Sequence, residues 1–185
     1  MFDHSVVDRI QRIPMSWEDY LAHDGPEWER VEWADGFAIM SPQPKRRHGV
    51  LQVRLVVLLN AHLREVELMV ESGLRTARSL RGPDVMAAPR GLTTGWVETA
   101  PILVAEILSP STQSEDLLRK GPEYAEAGAG QYWVLDPKQR SLEVFTLVDG
   151  HWETLARFTD RHPVGEVTVA DHGTVPIDLA DLLDD

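Results

Sequence analysis

The sequence predicts an α/β domain with a mixed central sheet flanked by helices, and three observations carry that reading. Residues 102–108 form a near-continuous apolar run broken by a single carboxylate, Glu106, and such runs belong to strands covered on both faces. A second run of this kind, residues 131–135, follows a helix predicted over 115–127, and a helix crossing between two strands joins parallel neighbours. The dipeptides Asp35-Gly36 and Asp149-Gly150 each separate two short strand-like runs and supply the positive φ angles of a tight turn, so antiparallel hairpins are expected beside the parallel pair.

The elements follow in order. Ser16, three residues before Asp19, reads as the N-cap of a short helix through His23 that Gly25-Pro26 ends. Residues 28–34 and 37–41 make the N-terminal hairpin. Over residues 48–64 apolar side chains fall at helical spacing on nearly every face, with Leu51, Leu55, Leu58 and Leu59 among Val50, Val53, Val56, Val57 and Leu63, which predicts a long, well-buried helix. Residues 67–71 and 74–78 are short strand candidates around Ser72-Gly73, and residues 84–88 form another that starts directly after Pro83. Beyond 102–108, Ser109-Pro110-Ser111-Thr112 makes a turn, Gly128 and Gly130 stop the 115–127 helix, and Asp136-Pro137 ends the strand at 131–135. Residues 141–147 and 152–158 form a C-terminal hairpin extension, 159–176 read as irregular with one strand near Val167, and 177–183 as a closing helix.

A chain of 185 residues is expected to form one domain over 1–185. No apolar run is long enough to span a bilayer, and Asp3, Arg9 and Arg12 interrupt the start where a secretory signal would be apolar, so a cytoplasmic protein with no membrane partner is expected. The absence of cysteine excludes disulfides, thiolate zinc sites and cysteine nucleophiles, which leaves oxygen and imidazole as metal donors. A net charge of −12 argues against a polyanionic partner, because affinity for nucleic acid comes largely from neutralising phosphates. The charge is uneven, however: residues 1–92 hold 12 basic and 13 acidic groups, and residues 93–185 hold 6 and 17. Lys45, Arg46 and Arg47 with Arg75, Arg78 and Arg81 would make a local basic face, or are scattered solvated cations.

Glu106 demands an explanation, since an unpaired carboxylate in a buried strand costs several kcal/mol. Either it sits at the strand's exposed end or pairs with an arginine, or a divalent cation compensates it. Asp84 opens a strand that is a candidate neighbour of the one bearing Glu106, so two carboxylates have a route to one sheet edge. That pair suits magnesium, which usually keeps several waters and takes one or two carboxylates. Lys120, one turn after Asp116, is the candidate third group; by spacing alone the two also make an ordinary surface pair worth a few tenths of a kcal/mol.

The strings Arg81-Gly82-Pro83-Asp84, Pro101-Ile102-Leu103-Val104-Ala105-Glu106-Ile107-Leu108-Ser109-Pro110-Ser111-Thr112 and Tyr132-Trp133-Val134-Leu135-Asp136-Pro137, with the stretch from Asp116 to Lys120 and Tyr124 between the last two, resemble the Uma-two family of endonucleases. That family belongs to the PD-(D/E)XK superfamily, and the likeness reaches upstream to Glu32, Asp35-Gly36 and His48, covering roughly residues 15–155. The resemblance implies a restriction-endonuclease-like core in which Asp84 and Glu106 bind Mg²⁺, or Mn²⁺ as its substitute, with the backbone carbonyl of Ile107. The superfamily's lysine, expected two residues after the glutamate, is replaced here by Leu108, and in this family the role passes to Lys120 on the next helix. Gly121-Pro122 departs from the pattern, and a proline inside a helix is expected to redirect the preceding turn. Glu32, His48 and Asp116 would lie around the metal-binding residues, Glu32 as an outer acid and His48 as a phosphate or water contact. From their residue types alone, Glu32 and His48 fit structural roles equally well, and Tyr124, Tyr132 and Trp133 read as core packing.

The implied activity is Mg²⁺-dependent hydrolysis of DNA phosphodiester bonds by a homodimer, with Asp84, Glu106 and Lys120 as the catalytic residues. Two alternatives stay open: a nuclease fold that binds a partner without cutting, and a metal-dependent hydrolase of a small phosphate compound.

Overall fold

The apolar run around Glu106 becomes a central strand of the larger of two main sheets. The structure, a computed structural model, describes residues 10–23, 30–109 and 119–184. Among them, β4 (Val66–Met69), β7 (Val85–Pro89), β8 (Leu103–Ile107), β9 (Gln131–Asp136), β10 (Ser141–Val148) and β11 (His151–Thr159) form a six-stranded sheet in the order β11-β10-β9-β8-β7-β4. Only β8 and β9 run parallel, with Glu106 beside Val134; the other neighbours are antiparallel, so the sheet is mixed. Helix α3 (Gly121–Glu126) lies on the crossover that parallel pairing requires.

A second sheet, β1-β3-β2-β6-β5, is built from β1 (Gln11–Pro14), β2 (Arg30–Ala34), β3 (Phe37–Ser41), β5 (Leu74–Arg75) and β6 (Ser79–Arg81). Its β2–β3 hairpin turns at Asp35 and Gly36, both at positive φ, and the β10–β11 hairpin turns the same way at Asp149 and Gly150. Helix α1 (Trp17–Leu21) starts as expected, Ser16 Oγ accepting from the Asp19 amide at 3.0 Å. The foreseen stop at Gly25-Pro26 and the first residues of the 28–34 run lie outside the described residues, as do Pro110, Ser111, Thr112, Glu115 and Asp116.

Strand alternation in the large sheet divides the core into two layers. Val85, Ala87, Leu103, Ala105, Ile107, Trp133 and Leu135 meet Leu51, Leu55 and Leu59 of α2 (Arg46–His62) on one face. Met86, Ala88, Val104, Tyr132 and Val134 meet Tyr124 of α3 on the other. Each such leucine contributes about 1.5–3 kcal/mol by leaving water, so this packing, and not helix propensity, holds α2 in place.

The structure differs from the sequence reading in four places. Helix α2 is not buried all round: Val53 and Val57 are each 62% exposed, because the layer beneath α2 covers one stripe and the opposite stripe faces outward. The strand candidate at 74–78 is shorter than expected, β5 covering only Leu74–Arg75; β4 joins β7 and β5 joins β6, so the Ser72-Gly73 turn passes the chain from one sheet to the other. Strands β1 and β6 were not foreseen, being only 4 and 3 residues long. Residues 159–176 are not irregular: β12 (Val164–Val169) and β13 (Gly173–Asp178) form a further hairpin, followed by α4 (Leu179–Leu183). Val167, Val169, Val175 and Ile177 enter the α2 layer of the core, an inward face obscured in the sequence by the Gly165, Gly173 and Pro176 interruptions. Gly173 lets this hairpin approach the end of α2, since at its φ of +146° any Cβ would collide with the His62 carbonyl.

Candidate functional site

Asp84 and Glu106 stand at neighbouring strand ends because β7 and β8 are antiparallel neighbours. The register faces Val85 with Ala105, and one step further along brings Asp84 opposite Glu106. There β7 has ended while β8 continues, so the Ile107 amide lacks a strand partner on that side. The carboxylate of Asp84 takes the partner's place, its Oδ2 accepting from Ile107 N at 2.7 Å. Both acids are buried, Asp84 to 2% exposure and Glu106 to 1%.

The two faces of the sheet supply different partners at this edge. From α2, His48 brings Nε2 to 3.1 Å from Asp84 Oδ1. That nitrogen is buried and makes no hydrogen bond among the described residues, so the approach to Asp84 is close but poorly aligned. One turn further along α2, Gln52 Nε2 donates to the Asp84 carbonyl at 3.3 Å and holds the strand end against the helix. From the other face, Lys120 Nζ lies 3.1 Å from Glu106 Oε1 and 3.2 Å from Glu32 Oε1. Tyr124 donates its hydroxyl to the same Glu106 oxygen at 2.5 Å.

Glu32 arrives from β2 of the smaller sheet. Its Oε1 accepts from Gly82 N at 2.9 Å and its Oε2 from Arg81 at 3.1 Å, which ties the hairpin to the Arg81-Gly82-Pro83-Asp84 link. Arg81 is itself buried and makes two further hydrogen bonds to Glu123 of α3, at 2.7 and 2.6 Å. Burial works against its charge, yet the hydrogen bonds to Glu123 and the charges of Glu32 and Glu123 hold its pKa above the ordinary arginine value. Burial, and then the charge of Glu106, push the Tyr124 phenol well above its usual range, so it stays protonated and remains a donor.

The geometry thus gathers Asp84, Glu106, Ile107, Lys120, Glu32 and His48, while Asp116 lies outside the described residues. Ahead of Gly121-Pro122, the Lys120 ammonium lies between Glu32 and Glu106. Helix α3 begins at Gly121 with Pro122 in its first turn, where a missing amide costs nothing, and Lys120 is the capping residue. Arg81, Glu123 and Tyr124 went unrecognised. For α3 a signal existed: Lys120, Glu123 and Tyr124 are spaced three and four apart, which puts three polar groups on one helix face. The basic face does not form as grouped: Arg81 is buried, Arg78 pairs with Asp35 at 2.8 Å and Glu126 at 3.5 Å, and Arg75 lies 3.8 Å over the Trp17 ring.

A profile of the Uma2 (Uma-two) family, described as "Putative restriction endonuclease", matches residues 17–178. The chain belongs to that family. An uncharacterized protein of Synechocystis sp. is 30% identical to the Uma-two chain over 128 residues, 65% of this chain and 67% of the relative. The fold matches the crystal structure of a "putative nuclease belonging to DUF820" from Anabaena variabilis with a TM-score of 0.74 and 19% identity, covering 92% of this chain and 98% of that one.

The donors fit one type of metal better than others. Among the described residues no three His, Asp or Glu side chains group as a metal-binding set, which is unlike a closed structural zinc site. One or two carboxylates, a nearby carbonyl and water suit Mg²⁺, and His48 Nε2, which makes no hydrogen bond among the described residues, is a buried polar atom beside Asp84 Oδ1 that water bound to a cation would satisfy.

Proposed function

We propose that this protein is a Mg²⁺-dependent endonuclease that hydrolyses DNA phosphodiester bonds, with Asp84, Glu106 and the Ile107 carbonyl as metal ligands and Lys120 beside them. The observation that carries this reading is that Asp84, directly before β7, and Glu106 of β8 stand at neighbouring strand ends, with His48 Nε2 3.1 Å from Asp84 Oδ1. Membership of a family described as restriction endonucleases supports it.

When bound, magnesium supplies polarisation of a phosphoryl oxygen and a more acidic water. The protein's own groups do the rest. Asp84 is held rigid by the Ile107 amide, which keeps one carboxylate oxygen in a fixed direction. Lys120, placed between Glu32 and Glu106, carries its positive charge beside the reacting phosphate, where negative charge grows as the attacking water bonds to phosphorus and an ester P–O bond breaks. His48, at the start of α2, orients the water or a phosphate oxygen. Two copies related by a two-fold axis would address both strands of a duplex, so a homodimer accompanies this reading.

The test is nicking of supercoiled plasmid with Mg²⁺ or Mn²⁺, with Asp84→Ala as control and sedimentation to give the oligomeric state. Metal-dependent nicking that Asp84→Ala abolishes is expected; nicking of equal rate in the variant, or without metal, overturns the reading. A second reading has its own support. The charge of −12 and the burial of both acids favour a small phosphate compound over a polyanion, and faster turnover of nucleotides than of plasmid would select it. Metal binding with no turnover of either would select a binding protein.

A further inference from the structure

We propose that Tyr124 is a positioning residue that fixes how Glu106 presents its carboxylate to the metal. The inference rests on the reading of Asp84 and Glu106 as metal-binding acids and deepens it.

Tyr124 is fully buried, and its hydroxyl meets Glu106 Oε1 at 2.5 Å, the oxygen that Lys120 Nζ approaches to 3.1 Å. A glutamate has three side-chain torsions, and the last is broad, so one contact leaves the carboxylate plane free to swing. Two donors on one oxygen, from residues four apart on the same helical turn, remove that freedom. The turn itself is anchored independently. Glu123 is clamped by Arg81 at 2.7 and 2.6 Å, Trp152 Nε1 donates to the Gly121 carbonyl at 2.8 Å, and the Tyr124 ring packs edge-on against Tyr132 at 5.6 Å between centroids.

Packing alone does not call for this hydroxyl. A phenylalanine fills the same space against Tyr132, whereas a buried phenol needs a hydrogen-bond partner, and the partner here is the acid of the site. Groups that hydrogen-bond a metal ligand set its direction, and their loss typically costs about 10–100-fold in metal affinity or activity.

The experiment compares wild type with Tyr124→Phe in the full chain. Mn²⁺ binding is measured by calorimetry without DNA, and kcat and KM by plasmid nicking. Mn²⁺ affinity is expected to fall by about 10–100-fold, with kcat reduced and KM for plasmid unchanged. Tyr124→Met, which also lacks the hydroxyl but fills the space with a flexible chain, is expected to behave alike and guards against a packing artefact; urea midpoints establish that both fold. Folded variants that bind Mn²⁺ as tightly as wild type overturn the proposal. If Asp84→Ala loses Mn²⁺ while Tyr124→Phe keeps it, only the positioning role fails. If wild type binds no Mn²⁺, or Asp84→Ala and Glu106→Gln bind it equally well, the metal reading fails and this inference falls with it.

Discussion

Two ion-pair networks in this molecule use the same groups in opposite surroundings. Glu123, Arg81, Glu32, Lys120 and Glu106 alternate in sign through a buried chain that crosses from α3 to the small sheet and back to β8. Arg140, Asp160 and Asp184 form an exposed network with similar distances, the shortest arginine contact to each acid being 2.8 Å. Bond length therefore does not distinguish them; solvent does. At the surface, water screens the charges and holding long side chains costs entropy, so such pairs contribute little. In the interior each charge has lost its water and depends on its neighbour, so removing one partner strands the other. A buried chain of this kind is weak support for stability, and its presence beside Asp84 is better explained by the need to hold Lys120 and Glu106 in register.

Substitutions break or sharpen this contrast in descending order. Asp84→Ala is expected to reduce metal-dependent plasmid nicking to background, because the first of the two acids is lost; retained nicking would detach the buried chain from catalysis. Arg81→Met removes the cation between Glu32 and Glu123 and is expected to destabilise the fold by about 3–5 kcal/mol in urea denaturation. A loss under ~1 kcal/mol would mean that the buried network behaves like the surface one.

A smaller effect is expected at Arg78, whose hydrogen bonds hold the exposed Asp35 carboxyl below its ordinary 3.8. A depressed folded-state pKa contributes stability that is present above 3.8 and is lost as pH falls through the lower folded value. Arg78→Ala should therefore flatten the stability loss below pH 3.8, read from urea midpoints across the acid range. An unchanged slope would show that this pair is not coupled to folding. Last, Arg140→Ala should leave the urea midpoint at neutral pH within measurement error, and a clear drop would show that the exposed network ties the chain's end to the β9–β10 turn more tightly than screening allows.

Much of the fold was legible because its signals are local. The Asp-Gly turns dictate their own φ angles, the run around Glu106 is too apolar for an exposed strand, and Ser16 caps α1 with its own side chain. Strand β6 was not legible, since it holds only 3 residues and exists because β2 and β5 lie on either side of it. Asp84 and Glu106 were readable as acids out of place. Tyr124 was not, because a tyrosine met in the sequence alone looks like packing until the atom opposite its hydroxyl is known.

The order of residues along the chain was enough to establish the hairpins, the central strands and a pair of misplaced acids, since each depends on near neighbours and on the contrast between apolar and charged side chains. Only the folded arrangement decided that Lys120 lies against Glu32 and Glu106, that Arg81 is buried and not part of a basic face, and that Tyr124 and Lys120 share one oxygen of Glu106. Those outcomes depend on residues far apart in sequence meeting where water is excluded, and in that setting an ion's partner determines whether it can remain charged.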